Sequence, residues 1–103
     1  MFMLMLTTTP TDREADLLAA KIVRAKLAAC VQVLPQMKSF YLWEGDLKIE
    51  GEHLLLIKTL PEKFDGLSAF ITANHSYDVP EIVAIDASRV SEPYRRWIES
   101  VLV

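Results

Sequence analysis

Three side chains in this 103-residue sequence have the chemistry of soft or borderline metal ligands: Cys30, His53 and His75. A thiolate favours copper(I) and zinc, and an imidazole binds several divalent metals. His75 is the stronger candidate, because it follows a predicted helix in a polar turn where an imidazole would be accessible. Two alternatives stay open, since Cys30 would also suit a small buried position and His75 a hydrogen bond within its own turn.

The spacing of these residues does not assemble a metal site locally. A tight site needs three or four converging ligands, and no short segment of the sequence supplies them. His53 and Glu52 are neighbours in a predicted strand, so their side chains point to opposite faces and cannot chelate one ion together. His53 is therefore expected at the surface or at an interface, and any metal is expected to bind weakly, through His75 with or without Cys30.

Catalysis and nucleic-acid binding have less support than metal binding. No serine or cysteine stands near a histidine in a recognisable catalytic signature, and the three glycines do not form a phosphate-binding loop. The net charge is −3 and the basic residues are scattered, which is not the charge distribution of a nucleic-acid-binding protein. We therefore expect a protein that is not an enzyme and does not bind nucleic acid.

The composition is typical of one compact domain, which we assign to residues 1–103. The sequence is 51% hydrophobic and 24% charged, as expected for a folded globule. The N-terminal MFMLML is too short for a membrane span or for the core of a signal peptide. A single cysteine excludes an intrachain disulfide. Together these features predict a cytoplasmic protein with no membrane association.

Two of the candidate residues, Cys30 and His53, lie in a long hairpin predicted between Cys30 and Leu60. Two β-rich runs meet at Glu44 and Gly45, where glycine accepts the positive φ of a tight turn. Pro35 interrupts the first run, which predicts a bulge or bend there. Both arms exceed the length of a typical strand, about 5 or 6 residues. The distal half of the hairpin is therefore predicted to extend beyond the globular part of the domain.

The distal half of this hairpin is rich in aromatic and aliphatic side chains. On its second arm, Leu47 and Ile49 share one face. On its first arm, aromatic and aliphatic residues occupy both faces: Phe40, Tyr41, Leu42 and Trp43. An isolated two-stranded ribbon is marginally stable in water and would expose an apolar patch. We therefore predict a homo-oligomer in which the ribbon packs on, or adds strands to, another copy of the chain.

Hydrophobic periodicity assigns the rest of the chain. Residues 2–8, which are apolar until the threonines begin, predict a buried strand, and EIVAID at residues 81–86 predicts a second, short buried strand. Amphipathic stretches after Thr11, Pro61 and Ser91 predict three helices. The order β, α, β, β, α, β and a final helix predicts an α+β, ferredoxin-like fold: one antiparallel sheet with a long central hairpin, two helices on one face and an additional C-terminal helix.

Side-chain caps are predicted at the start of each helix. Thr11 and Glu14 have the spacing of a capping box, in which each side chain bonds a free backbone N–H near the other. Thr59 and Glu62 have the same spacing before the second helix. Ser91 precedes the third helix at the position where a capping hydroxyl is expected.

Four motifs occur in order along the chain: LAACVQVLP, SFYLWEG, LLLIKT and HSYDVPEI. On these motifs the sequence resembles the CutA family of divalent-cation tolerance proteins, whose fold is similar to that of PII signalling proteins. The resemblance covers nearly the whole chain. It implies a small cytosolic homotrimer of ferredoxin-like subunits with long hairpins exchanged around the threefold axis. It also implies an association with copper and other divalent ions.

The resemblance carries expectations for individual residues of the metal site. Relatives for which copper binding has been proposed have a cysteine at the position of Thr7 and two histidines at the positions of Asn74 and His75. This chain therefore keeps one of those three ligands.

Five further residues occupy motif positions that would meet between subunits: Trp43, Glu44, Lys58, Tyr77 and Glu81. They would line a cleft with an aromatic wall, a cation and two carboxylates, which suits an anion or another small ligand. Alternatively, the same residues hold the oligomer together through aromatic packing and ion pairs.

Three functions remain open from the sequence. The first is a homotrimeric, non-enzymatic divalent-cation tolerance protein that binds copper or another divalent cation weakly through His75 and Cys30. The second is a PII-like signalling or binding module that uses the inter-subunit cleft for a small anionic ligand or a partner protein. The third is a purely structural trimer.

Overall fold

The order of elements in the computed structural model, which describes residues 2–103, is the predicted one, with the first arm of the hairpin divided into two strands. The arrangement is that of the split βαβ pattern, and a helix follows the last strand. The elements are β1 (Phe2–Thr9), α1 (Asp12–Arg24), β2 (Cys30–Val33), β3 (Met37–Trp43), β4 (Asp46–Thr59), α2 (Phe64–Ala73), β5 (Val83–Ala87) and α3 (Glu92–Leu102).

The described strands form an antiparallel sheet in the order β2-β4-β1-β5. Strand β4 belongs to two structures at once, because residues 53–59 pair with β1 and residues 46–52 pair with β3. We call β3 together with residues 46–52 the ribbon. It gives the molecule a longest dimension of 45 Å, against 25 and 24 Å in the other two directions. The predicted extension of the hairpin beyond the globule is confirmed.

The hairpin turn has the geometry that its sequence predicts. Glu44 and Gly45 both have positive φ, +50° and +84°, as a two-residue type I′ turn requires. Strands β2 and β3 are separated at residues 34–36, which confirms the interruption expected at Pro35.

Helices α1 and α2 cover one face of the sheet. Met5 of β1 and Ile57 of β4 lie directly opposite each other and are fully buried. Leu18 and Ile22 of α1 and Leu67 of α2 pack into the same core. This core fixes the positions of β1 and β4, and β4 in turn carries the ribbon.

Helix α3 covers one end of the opposite face. Ile98 and Leu102 of α3 pack with Phe2 and Leu60 in a second, smaller core. Among residues 2–103, no helix is both long enough and apolar enough to cross a membrane.

Strand β5 lies at an edge of the sheet. A strand was predicted within residues 81–86 and is present, but the prediction that it is buried was wrong. Strand β5 pairs with β1 alone, and its Val83 and Ile85 are 47% and 48% exposed. Both side chains lie on the face that α3 covers only at one end, since Val83 is opposite Leu6 and Ile85 opposite Leu4. An apolar run predicts that a strand is covered, but it does not say which chain supplies the cover.

The predicted helix caps are confirmed only in part. Thr11 accepts a hydrogen bond from the backbone N–H of Glu14 at 3.1 Å, which is half of a capping box. The capping box at Thr59 was wrong, because Thr59 is the last residue of β4 and donates to the carbonyl of Leu27 at 2.7 Å. Helix α2 instead follows a 3-10 turn at Pro61–Lys63. Ser91 stands at the start of α3, but its described side chain makes no capping hydrogen bond.

Candidate functional site

One face of the ribbon is apolar and open. Phe40 lies opposite Ile49, and Leu42 lies opposite Leu47. These four side chains are 63%, 55%, 74% and 63% exposed, respectively. A contiguous group of large apolar side chains with this exposure is typical of an interaction surface.

The other face of the ribbon forms one wall of a groove, and residues 74–82 form the other wall. We call these residues the 74–82 loop. The groove has a volume of about 790 Å³, which is within the range of small-molecule sites. Tyr41 and Trp43 of β3 line it on the ribbon side, and Tyr77 lines it on the loop side. Alternation along β3 places Tyr41 and Trp43 on one face, as the sequence predicts.

Hydrogen bonds from two tyrosines organise the groove. The hydroxyl of Tyr77 donates to the carboxylate of Glu52 at 2.9 Å and so ties the 74–82 loop to β4. The hydroxyl of Tyr41 donates to Glu50 at 2.8 Å. Burial and then the bond to Glu52 raise the pKa of Tyr77, and the bond to Glu50 raises the pKa of Tyr41. Both phenols therefore remain protonated donors at neutral pH.

The groove is strongly acidic. Four carboxylates line it, from Glu50, Glu52, Asp78 and Glu81, and the ammonium of Lys48 is the one basic group among its described lining residues. Burial, and then the charge of Glu52, raise the pKa of the Glu81 carboxyl. The groove is therefore electrostatically suited to positive charge and not to an anion.

The predicted cleft residues are brought together only in part by a single chain. Trp43, Tyr77 and Glu81 line the groove, and Glu44 lies in the turn beside Trp43. Lys58 lies six residues beyond Glu52 on β4, which corresponds to about 20 Å along the strand. Its ammonium instead lies 5.3 Å from the centre of the Tyr94 ring, beside α3.

Sequence reasoning missed nine residues that line the groove: Thr8, Ser39, Phe40, Tyr41, Lys48, Glu50, Glu52, Asp78 and Val79. Strand alternation placed Lys48, Glu50 and Glu52 on one face, which was a usable signal. The docking of the 74–82 loop on that face had no local signal, because Tyr77 and Glu52 are 25 residues apart.

His75 is held inside the protein by both of its ring nitrogens. Its side chain is 0% exposed. Nε2 lies 2.6 Å from the carbonyl oxygen of Thr8, and Nδ1 accepts a hydrogen bond from the backbone N–H of Tyr77 at 3.0 Å. Because a carbonyl only accepts, the proton is on Nε2 and the ring is the neutral tautomer. A metal would reach His75 only after one of these hydrogen bonds had broken.

Glu14 fixes the same turn from the side of α1. Its carboxylate accepts hydrogen bonds from the backbone N–H and the hydroxyl of Ser76, at 3.1 and 2.9 Å. This explains why the second half of the predicted capping box at Thr11 is not formed. The Glu14 carboxylate accepts hydrogen bonds from the 74–82 loop instead of from the backbone at the start of its own helix.

Cys30 lies far from His75. It is half-buried at the start of β2 and pairs with Lys58, which pairs with Leu4 of β1. His75 contacts Thr8, four residues further along β1, or about 13 Å, and Cys30 is two strands away from β1. One chain therefore does not bring His75 and Cys30 to a common ion.

The other positions expected for a copper site do not supply ligands either. The Thr7 hydroxyl is fully buried and has no hydrogen-bond partner in the described chain, and the Asn74 amide donates to the Phe70 carbonyl at 2.9 Å. His53 is buried, contrary to expectation, and its Nδ1 lies 3.3 Å from the Leu34 carbonyl oxygen. Across residues 2–103, no three His, Cys, Asp or Glu side chains converge as a metal site. These residues do not fit a tight metal centre.

A family model confirms the resemblance seen in the motifs. The model of the family described as CutA1 divalent ion tolerance protein matches residues 3–101. The chain is 40% identical over 93 residues to Protein CutA, chloroplastic, of Arabidopsis thaliana, and covers 51% of the length of that relative. It is 38% identical to the divalent-cation tolerance protein CutA of Thermus thermophilus, with 90% of each chain covered. The chain thus spans about half the length of the plant relative and nearly all of the bacterial one.

Solved structures of similar proteins have the same fold. The periplasmic divalent cation tolerance protein CutA of Archaeoglobus fulgidus superposes with a TM-score of 0.97, at 34% identity and with both chains fully covered. CutA1 of Oryza sativa superposes with a TM-score of 0.96 at 35% identity, covering 99% of this chain and 94% of the rice chain. These superpositions include the ribbon, because nearly the whole chain is matched.

Proposed function

The chain belongs to the CutA1 divalent ion tolerance protein family, and from this premise we propose that it acts as a homotrimer in the tolerance of divalent cations. The observation that carries the proposal is the open apolar face of the ribbon, formed by Phe40, Leu42, Leu47 and Ile49. Three is the number of subunits that the family resemblance implies.

The energetic reason for assembly is the cost of leaving this face in water. Burying one large apolar side chain contributes about 1.5 to 3 kcal/mol, so four of them supply a substantial driving force even after the entropy of association is subtracted. A second copy of the chain is the simplest partner that offers a matching apolar surface.

A second open surface supports a ring of subunits. Val83 and Ile85 lie on the sheet face that α3 leaves uncovered, whereas the apolar face of the ribbon continues the face that the helices cover. Two different surfaces on one chain would make a head-to-tail contact, and such contacts close into rings when the rotation permits. A trimer is the smallest such ring.

We further propose that divalent cations, including copper, bind weakly. The half-buried thiol of Cys30 is one soft ligand. His75 is a separate, weaker candidate, because it lies far from Cys30 and would bind an ion only after losing its bonds to Thr8 or Tyr77. No catalytic role is proposed for either residue. The family name supplies the link to divalent ions.

The cytoplasm is the compartment we propose for this chain. Its single cysteine rules out an intrachain disulfide, which suits a reducing environment. The relatives are named for different compartments, since the Arabidopsis protein is called chloroplastic and the Archaeoglobus protein periplasmic.

A second candidate function is favoured by the groove. A cavity with aromatic walls and several polar groups suits a binding module for a small ligand, as in the PII-like alternative. The excess of carboxylates over basic groups does not match the small anionic ligand of that hypothesis.

Light scattering of ribbon variants tests the proposed assembly. Ile49→Lys places a charge on the apolar face and is expected to convert the trimer into monomers, because an unpaired buried charge is strongly unfavourable. Ile49→Val is the matched control and should leave the mass unchanged. A parent protein with the mass of one chain at micromolar concentration would contradict the proposal.

A further inference from the structure

We propose that the groove between the ribbon and the 74–82 loop binds an extended organic cation, of the class of linear di- and triamines. Residues of a single chain form the lining described above. The proposal concerns a ligand of the groove and therefore goes beyond self-assembly.

The charge of the lining determines the sign of the ligand. Lys48 is outnumbered by the carboxylates of Glu50, Glu52, Asp78 and Glu81. In a partly enclosed groove the field of like charges is focused, which raises the local concentration of the opposite charge. This field would repel an anion such as citrate or phosphate.

The spacing of the carboxylates determines the shape of the ligand. In residues 2–103, no group of three acidic, histidine or cysteine side chains converges on one point, so a compact metal ion would contact too few of them. Glu50 and Glu52 are on the same face of β4, with their Cα atoms about 7 Å apart. A linear amine carries its charges at intervals along a chain and would contact successive carboxylates.

The aromatic walls match the carbon chain and the charge of such a ligand. Trp43 is 60% exposed and Tyr41 39% exposed, and Tyr77 closes the groove from the loop side. Ammonium groups are attracted to the faces of aromatic rings, and methylene groups pack on them. The tyrosine hydroxyls use one acceptor site on each of Glu50 and Glu52, and a carboxylate has further acceptor sites for an ammonium.

Calorimetric titration of the assembled protein with spermidine tests the proposal. We expect saturable binding with one molecule per chain, which Glu52→Gln and Glu81→Gln each weaken about tenfold through the loss of one charge-assisted contact. Glu62→Gln removes an exposed carboxylate outside the groove and is the matched control. It should change the affinity less than about twofold, because exposed charges at a distance are screened.

Fluorescence provides an independent readout of the same site. The chain has two tryptophans, and Trp97→Phe leaves Trp43 as the single reporter in the groove. Spermidine should change its emission, whereas magnesium at the same ionic strength should not. Light scattering of each variant checks that the assembly is intact, so that a failure of binding is distinguished from a failure of oligomerisation.

Four results would overturn the proposal. They are the absence of binding at millimolar spermidine, an equal loss of affinity in Glu62→Gln and Glu52→Gln, a magnesium response as large as that to spermidine, and binding of citrate in place of spermidine. The second result would indicate a general attraction between charges, and the last would restore an anion pocket.

Discussion

The two halves of β4 have the same side-chain pattern and opposite surroundings. In the proximal half, Leu55 and Ile57 are fully buried beneath α1 and α2. In the distal half, Leu47 and Ile49 point to the same face of the strand and are mostly exposed. The helices cover the proximal half, and nothing in the described chain covers the distal half. An alternating strand pattern therefore predicts which face is covered, and the cover must be found separately.

This difference predicts that the two halves respond differently to the same truncation. Ile57→Ala should lower the free energy of unfolding by about 2 to 5 kcal/mol at every protein concentration, because it leaves a cavity in the core. Ile49→Ala should instead weaken assembly, so that the melting temperature loses part of its dependence on concentration. Thermal unfolding over a hundredfold range of concentration distinguishes the two. Equal, concentration-independent losses would mean that the ribbon is stabilised within one chain.

Substitutions in the 74–82 loop are expected to have the next largest effect on the free energy of unfolding. His75→Ala should lower the free energy of unfolding by about 2 to 3 kcal/mol, because the Thr8 carbonyl and the Tyr77 N–H lose a buried partner. The copper isotherm should remain that of the parent. Ser76→Ala, which removes a single hydroxyl bond to Glu14, is the control and should cost less. A clear fall in copper affinity in His75→Ala would restore His75 as a metal ligand.

Two buried threonines lie on the helix-covered face of the sheet. The same substitution by valine is expected to change the free energy of unfolding in opposite directions at the two positions. Thr7→Val should raise the free energy of unfolding by about 1 kcal/mol, because it removes a buried hydroxyl that has no partner in the described chain. Thr59→Val should lower it by a similar amount, since its hydroxyl donates to Leu27. Urea unfolding measures both. If both substitutions destabilise, the Thr7 hydroxyl has a partner after all.

The smallest predicted effect depends on pH and concerns Glu81. Its pKa is raised in the folded state above the ordinary value of 4.5, so the folded chain binds this proton more tightly than the unfolded chain. That contribution to stability is fully present below pH 4.5 and is lost as the pH rises through the raised value. Glu81→Gln should therefore be slightly stabilising at neutral pH, by less than about 1 kcal/mol because the group is largely solvated.

Melting temperatures of Glu81→Gln and the parent between pH 4 and 8 test this sign. The two curves should converge towards acid pH and separate towards neutral pH. Glu62→Gln, an exposed carboxylate away from the groove, should follow the parent throughout. A larger difference at acid pH than at neutral pH would contradict the assigned direction.

Local features of the fold could be predicted from the sequence, because their causes are local. The positive φ of Glu44 and Gly45 follows from the turn, and the break near Pro35 follows from the missing N–H. Thr59 was assigned wrongly for the complementary reason. Its hydroxyl bonds Leu27, 32 residues away, and no spacing in the sequence indicates that pairing.

The candidate site also contains some features that local sequence patterns predict and others that depend on contacts between distant residues. Strand alternation predicts the two faces of the ribbon, one apolar and the other aromatic and acidic. The family motifs pointed to Trp43, Tyr77 and Glu81. The contact between Tyr77 and Glu52 and the burial of His75 depend on how the 74–82 loop docks. Polar residues in a turn suggested an accessible imidazole. The alternative of a hydrogen bond within its own turn is the one observed for Nδ1, which accepts from Tyr77, and a tertiary contact with Thr8 occupies Nε2.

Sedimentation equilibrium of the unmodified protein at micromolar and submicromolar concentration tests the central claim most directly. We expect the mass of three chains, because the apolar face of the ribbon needs cover that residues 2–103 do not provide. A stable, folded monomer with the mass of one chain across that range would contradict it.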